Sequence, residues 1–315
     1  MSNQDPKPSL SLSSDCPSED GERQIQRITA RTAEVGGGIP VSRLMPSRQR
    51  RKIGAWCFLD HAGPALFEPL GGLRVGPHPH IGLQTFTWMI EGQVLHRDSL
   101  GNEQVVRPGE VNLMTAGRGI VHTEESLPEE RRLHAAQLWI ALPASHADCA
   151  PAFDHYPDLP QWDEGGLHIT LLAGHFAGRQ APSKVYTPLV GLDLLAEGAA
   201  QARLALDPTF EYGILPLDGA LQVNGQMFAN NELAYLGRGL DEVQLHTRDG
   251  ARALLLGGAP FEEEIYMFWN FVSHSKVDIV LALEAWNQGD LQRFGEVEGF
   301  DGPRLTAPDL PWQKV

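Results

Sequence analysis

Residues 76–106 read GPHPHIGLQTFTWMIEGQVLHRDSLGNEQVV. The stretch opens on Gly76-Pro77-His78-Pro79-His80, with two histidines at positions i and i+2. Proline on either side of His78 favours an extended backbone. In an extended chain, side chains at i and i+2 share a face, so both imidazoles aim at one region. A helix would need i, i+4 spacing for the same convergence. Leu83–Ile90 (LQTFTWMI) is rich in β-formers and stops at Glu91-Gly92. Gln93–Asp98 and Glu103–Val106 follow around a turn signal at Ser99–Asn102, and Pro108-Gly109 turns the chain again. Short β-forming runs cut by Gly, Pro, Asn and Asp read as an antiparallel meander within an all-β sandwich or barrel.

A second pair of ligand-type residues lies downstream in Gly117-Arg118-Gly119-Ile120-Val121-His122-Thr123-Glu124. His122 and Glu124 are again at i and i+2 and share a face. The intervening meander is expected to set this strand beside the first. His78, His80, His122 and Glu124 then converge inside a barrel as three neutral imidazoles and one carboxylate. That set suits iron, zinc, copper, nickel or manganese. The motif holds no thiolate, which argues against a structural zinc site of the cysteine type. In octahedral geometry four protein ligands leave two positions open, enough for a substrate and dioxygen. The other histidines, His61, His96, His134, His146, His155, His168, His175, His246 and His274, read as ordinary surface or core residues.

Working outward, Pro151, Pro157 and Pro160, with Trp162 and Gly165-Gly166 behind them, mark a linker or crossover. A second β-rich block follows, with strands expected at Ile169–Ala173, Arg203–Leu206, Tyr212–Leu217, Leu221–Val223 and Ala251–Leu256. It lacks any His-x-His pair and is expected to be metal-free. Lys276–Gln288 (KVDIVLALEAWNQ) has helical periodicity, with apolar residues at 277, 280, 281 and 285, and Gly289 stands at the C-cap position. The first two dozen residues are rich in Ser, Pro, Asp and Glu and read as a mobile tail rather than a signal peptide. No stretch is long and apolar enough to span a membrane. The formal net charge of -15 argues against nonspecific binding to nucleic acid or anionic membrane. A local basic cluster, Arg43, Arg48, Arg50, Arg51 and Lys52, reads as a solvated loop. Three cysteines, Cys16, Cys57 and Cys149, form no CxxC pair; they fit a reducing cytoplasm better than a disulfide framework.

The segments HPHIGLQTFTWMIEGQVLHRDSLGN (78–102) and PGEVNLMTAGRGIVHTEE (108–125) resemble the pirins, a bicupin branch of the cupin superfamily. MTAGRGIVHTE is close to a family signature, and PFEEEIYMFWNFVSHSKVDIV (260–280) resembles the C-terminal element of bacterial pirins. The resemblance implies two tandem jelly-roll β-barrels with a short C-terminal helix. Residues 1–25 would be a tail, 26–150 the metal-bearing barrel, 151–300 a metal-free barrel and 301–315 a second tail. It also implies iron(II) on the four residues already found by spacing. The general cupin motif is kept in part: Gly72, five residues, then His78-x-His80. Its usual glutamate is Gln84 here, expected by parity to border the site and to offer only neutral hydrogen bonds.

In function the resemblance implies quercetin 2,3-dioxygenase-type chemistry, with a flavonol-like substrate, dioxygen and loss of carbon monoxide. Glu124 would serve as both ligand and catalytic base. Phe86 and Trp88, of the same parity as His80, would line an aromatic pocket or simply pack in the core. The competing reading is an iron-binding regulatory or redox-sensing protein acting through protein partners. A third is a metal-binding cupin with an unrelated small-molecule substrate, because a barrel fold does not fix its substrate.

Overall fold

Short β-forming runs broken by glycine turns produce strands throughout; the computed structural model describes residues 3–5, 7–13, 25–68 and 71–312. In the first half, a seven-stranded sheet runs in the order Ala152–Tyr156, Val111–Thr115, Leu83–Glu91, Arg132–Ala141, Trp56–Leu66, Ile39–Met45, Arg31–Val35. A four-stranded sheet completes that barrel in the order Arg74–His80, Ile120–Ser126, Val94–Asp98, Glu103–Val106. Val41, Ala62, Met89 and Ala135 from the large sheet pack with Val75, Val94 and Val106 from the small one. The second half repeats this plan. Its larger sheet centres on Leu189–Ala196, Ala251–Gly258 and Glu211–Gly219, and a four-stranded sheet of Ala200–Ala205, Glu242–Thr247, Leu221–Val223 and Gln226–Phe228 packs with it. This is the all-β bicupin architecture the sequence implied.

The expected meander is not the topology. Leu83–Glu91 pairs with Val111–Thr115 and Arg132–Ala141, whereas Val94–Asp98 belongs to the opposite sheet. Successive strands change sheets, and only Val94–Asp98 and Glu103–Val106 form a hairpin within this stretch. The chain makes one such change at Ile81-Gly82. Gly82 has φ +66, and a Cβ there would collide with the carbonyl oxygen of Val272, so only glycine fits.

A large apolar core joins the halves. Trp56, Phe86 and Trp88 from the first meet Leu172, Leu215, Leu254 and Leu256 from the second. The indole nitrogens crossing this core are satisfied: Trp56 Nε1 donates to the carbonyls of Val190 and Gly257, and Trp88 Nε1 to Asp193 Oδ1 at 3.1 Å. Arg252 neutralises Asp193 with two bonds of 2.9 Å. Burying a large aromatic side chain of this kind is worth about 3–5 kcal/mol by truncation.

The halves also exchange strands, so the chain does not divide cleanly at residue 150. Gln26–Thr29 pairs with Glu232–Arg238 of the second half, and Ala152–Tyr156 closes an edge of the first sheet. The proline-rich crossover is thus itself a strand, followed by Gln161–Glu164 at the edge of the other large sheet. Within the expected N-terminal tail, Ser11–Leu12 pairs with Tyr266–Met267, and Asn3 N donates to Asn270 Oδ1; residues 14–24 lie outside the described residues. In the expected C-terminal tail, Leu305 N donates to the Pro77 carbonyl at 2.8 Å.

Lys276–Gln288 is a helix, capped by the Ser275 hydroxyl on Val277 N and ended by Gly289 at φ 73. The buried face, however, is Ile279, Ala282, Leu283 and Trp286 rather than 277, 280, 281 and 285; Val277 and Leu281 are exposed. The helix is apolar on two faces, and the bulk of Trp286, packed edge-on to Phe294, decides which one docks. The basic cluster is also mostly structural. Arg43 is a buried bidentate partner of Asp60, Arg50 stacks on Tyr235, and Lys52 Nζ reaches the Phe261 carbonyl. Cys57 is buried and its thiol is pushed up to about 12 by desolvation, as suits a small core residue; Cys16 lies outside the described residues.

Candidate metal centre

Strand Arg74–His80 lies antiparallel to Ile120–Ser126, with His122 opposite His78 and Ile120 opposite His80. The alternation of the two strands therefore carries His78, His80 and His122 into the barrel together. Their rings are close: centroids stand 4.2 Å apart for His78 and His122, and 5.1 Å for each pair that includes His80. One ligand atom from each lies within 4.8 Å of the others, a group able to hold a metal ion. All three side chains are buried. Burial pushes the imidazoles toward the neutral form, His80 to about 3 and the other two well below the usual histidine value; neighbouring imidazoles lower His78 and His122 further. Neutral imidazole is the form that binds metal.

Hydrogen bonds at Nδ1 settle which ring nitrogen faces inward. His78 Nδ1 bonds the Gly76 carbonyl and His80 Nδ1 the Asn270 carbonyl, both at 2.9 Å. A carbonyl can only accept, so Nδ1 holds the proton and Nε2 keeps its lone pair. For His122 the same result comes through a relay. His96 Nε2 lies 3.0 Å from Asp98 Oδ2, and His96 Nδ1 lies 3.3 Å from His122 Nδ1. With its Nε2–H donated to Asp98 Oδ2, His96 Nδ1 is free of a proton and accepts from His122 Nδ1–H. The Nε2 atoms of His78, His80 and His122 are all buried and have no hydrogen-bond partner. Three orphaned lone-pair donors at one point fit a divalent transition metal.

The sequence reads His96 as an ordinary residue, but the structure places it behind His122. Its strand pairs directly with that of His122, with His122 opposite Asp98 and Glu124 opposite His96. The signal present was another i, i+2 pair, His96-Arg97-Asp98, whose partner strand could not be known. Asp98 is held below the usual carboxylate range: burial opposes this, but bonds from His96 and Asn102 outweigh it. His61 and His134 are buried, their Nε2 atoms 2.9 Å apart, and neither is grouped with the triad's ligand atoms.

Glu124 is buried on the same strand as His122. The register slips between them, Glu124 facing Val75, which puts the extra residue near Gly76-Pro77 where proline lacks a ladder donor. Its carboxylate is not among the ligand atoms grouped within 4.8 Å. Gln84 does not border the histidines as parity suggested. Its Nε2 donates to Thr115 Oγ1 and the Lys184 carbonyl, because the sheet change at Ile81-Gly82 breaks the parity. Phe86 and Trp88 likewise point into the core between the barrels. The opposite face of that strand looks toward the site. Trp139 packs edge-on to His80 and lies opposite Thr85, and Gln137 lies opposite Thr87. Asn112 also faces Thr87, and Phe153 stacks on His96. The wall facing the histidines is therefore polar in the middle and aromatic at its edges.

Among the described residues, no helix is long and apolar enough to cross a membrane. Comparison with known proteins places the chain. The pirin family model matches residues 38–140, and the pirin C-terminal cupin domain matches residues 191–294. A Pseudomonas aeruginosa protein named "Putative quercetin 2,3-dioxygenase PA1205" is 66% identical over 313 residues, 99% of each chain. A Caulobacter vibrioides "Pirin-like protein" is 36% identical over 81% of this chain and 91% of its own. A crystal structure of quercetin 2,3-dioxygenase from Acinetobacter baumannii superposes with TM-score 0.90 at 51% identity, covering 92% of this chain and 97% of that one. The chain belongs to the pirin family.

Proposed function

We propose that the chain is an iron(II)-dependent dioxygenase that opens the heterocycle of flavonol-like substrates, with His78, His80, His122 and Glu124 as the metal ligands. The observation that carries this reading is the set of three buried, unpartnered Nε2 atoms, each turned inward by a bond at Nδ1. Glu124 would complete the set by a side-chain rotation. Bound iron supplies Lewis acidity and redox chemistry toward a substrate oxygen and dioxygen. The chain's own groups supply the rest. Glu124 takes the proton of the substrate's enol hydroxyl at a carboxylate oxygen. Thr85, Thr87, Asn112 and Gln137 offer hydrogen bonds to a hydroxylated ring, and Trp139 and Phe153 flank it. Both oxygen atoms of dioxygen enter the organic product as carbon monoxide leaves. The names carried by the P. aeruginosa and A. baumannii relatives support this substrate class.

One observation favours the second reading, an iron-binding regulatory protein: the three imidazoles are almost fully shielded from solvent. Anaerobic reconstitution with iron(II), followed by oxygen uptake and carbon monoxide release with quercetin, separates the two. We expect iron-dependent turnover that His80→Ala loses. Tight iron binding without turnover favours the regulatory reading or another substrate, and no iron binding overturns both.

A further inference from the structure

His80 differs from the other two imidazoles in what holds it. His78 Nδ1 bonds a carbonyl two residues away on its own strand, and His122 is held from the neighbouring strand through His96. His80 Nδ1 bonds the carbonyl of Asn270, 190 residues further on. That carbonyl stands at the tip of a hairpin formed by Tyr266–Phe268 and Phe271–Ser273, whose two-residue turn is Trp269-Asn270. The tip carries two local costs. Trp269 is buried at φ 54, a left-handed conformation that costs a bulky residue about 1–3 kcal/mol. Asn270 is fully buried, and its Nδ2 has no hydrogen-bond partner. Such costs persist only where the surroundings over-determine a position.

The surroundings hold this hairpin from both sides. On one side Phe271 bridges Ile81, the neighbour of His80, and Val272 N donates to the Ile81 carbonyl at 3.2 Å. On the other, Ser11–Leu12 pairs with Tyr266–Met267. Just beyond, Ser13 N donates to the Ile265 carbonyl at 3.1 Å, and Ile265 N donates to Ser13 Oγ at 3.0 Å. Asn3 reaches the tip itself, where its N–H donates to Asn270 Oδ1 at 2.8 Å. Asn3 is held in turn, because its Oδ1 accepts from Arg43 Nη1 at 2.8 Å and Arg43 is fixed by the buried Asp60. A chain of bonds therefore runs from Asp60 in the barrel wall through Arg43, Asn3 and Asn270 to His80.

We propose that Asn3 and Asn270 are positioning residues for the metal centre: the Asn3–Asn270 bond clamps the hairpin tip, and the clamped tip presents the carbonyl that turns His80 Nε2 inward. Both residues act through His80. The other two imidazoles do not depend on the clamp, since their Nδ1 partners lie within the first barrel's own small sheet. The inference rests on the metal reading proposed above, and the experiment keeps the two apart.

Nitrogen chemical shifts of the metal-free full chain read the tautomer of each histidine separately, and anaerobic competitive titration reads iron(II) affinity. In Asn270→Ala the carbonyl remains but its tether is gone. We expect the Nδ1–H form of His80 to lose population while His78 and His122 stay as in the parent. Iron(II) affinity should fall about tenfold, the lower end of what an outer partner of a ligating histidine contributes. Asn3→Pro removes the N–H that binds Asn270 and should shift the same His80 resonances, with about a threefold loss of iron affinity. Asn3→Asp keeps that N–H and an oxygen for Arg43, so it should stay within about twofold of the parent. Should Asn270→Ala not fold, Asn3→Pro, at a half-buried position, decides by the same readings. A merely structural role would loosen the barrel and move all three histidines together. The proposal is overturned by an unchanged His80 tautomer, by a shift shared with His78 and His122, or by iron affinity equal to the parent's. If the parent itself binds no iron, the metal reading falls and the His80 tautomer alone decides the clamp.

Discussion

Replacing His96 by Leu removes a side chain that the proposed metal never touches, yet we expect iron affinity to fall. In the parent, Asp98 fixes the His96 proton on Nε2, and His96 Nδ1 accepts the Nδ1 proton of His122 across 3.3 Å. Without that acceptor, His122 Nδ1–H is left unpaired in a buried site. The ring then gains by moving its proton to Nε2, which removes one of the three donors. Loss of an outer partner of a ligating histidine typically costs 10–100-fold in metal affinity. At about 1.4 kcal/mol per factor of ten, that is about 1.4–2.8 kcal/mol. Leu should preserve the fold, since Phe153 still covers the position and Asp98 keeps its bonds from Leu100 N and Asn102. The assay is competitive iron(II) titration under anaerobic conditions, with nitrogen chemical shifts of His122 in the metal-free protein as a direct reading of its tautomer. An affinity within twofold of the parent, together with an unchanged His122 tautomer, would refute the relay.

Acid should destabilise the metal-free protein through its buried histidines. Their folded values lie below the unfolded one, so the unfolded chain binds more protons and stability is lost as pH falls below about 6.5. His80, lowered to about 3, and His134, lowered to about 4, define the window. Each contributes a slope of about 1.4 kcal/mol per pH unit within it. A urea midpoint that stays flat from pH 6.5 to 4.5 would contradict this. Gly82→Ala should lower stability by about 2–4 kcal/mol, because the strained φ and the Val272 carbonyl both exclude a Cβ; a melting temperature within a degree or two of the parent would show the turn to be pliable. Asp193→Asn should cost about 3–5 kcal/mol, since it leaves Arg252 without its charge partner at the junction of the barrels, and calorimetric melting would be expected to shift down or split. Unchanged melting would mean that the apolar core alone holds the halves together.

Much of the site was legible because it is local. In an extended chain, side-chain direction depends only on parity, so His78-Pro79-His80 and His122-x-Glu124 each declare a shared face before any partner strand is known. The strands themselves were legible in the same way: Glu103–Val106 and Leu221–Val223 match residue for residue, and the helix Lys276–Gln288 carries its start and stop in Ser275 and Gly289. Parity fails where the chain changes sheets. Counting across Ile81-Gly82 put Gln84 on the metal side and left Phe86 and Trp88 between a pocket and the core; they lie in the core, and the alternate residues Thr85 and Thr87 face the strand that carries Trp139 and Gln137. The strand is buried on both faces, and its more apolar face was claimed by the second barrel.

The sequence by itself therefore determined many of the strands, the all-β class and the histidine motifs whose three imidazoles come together, because each follows from spacing along a few residues. Only the tertiary structure decided which strand lies beside which. Strand pairing made a relay of His96 and Asp98 and gave Arg31 a like-charged neighbour in Arg43. It also carried Gln26–Thr29 into the other barrel's sheet. Those outcomes depend on contacts between residues far apart in the chain, and the choice among them is made by burial of whole sheet faces, a quantity no local window contains.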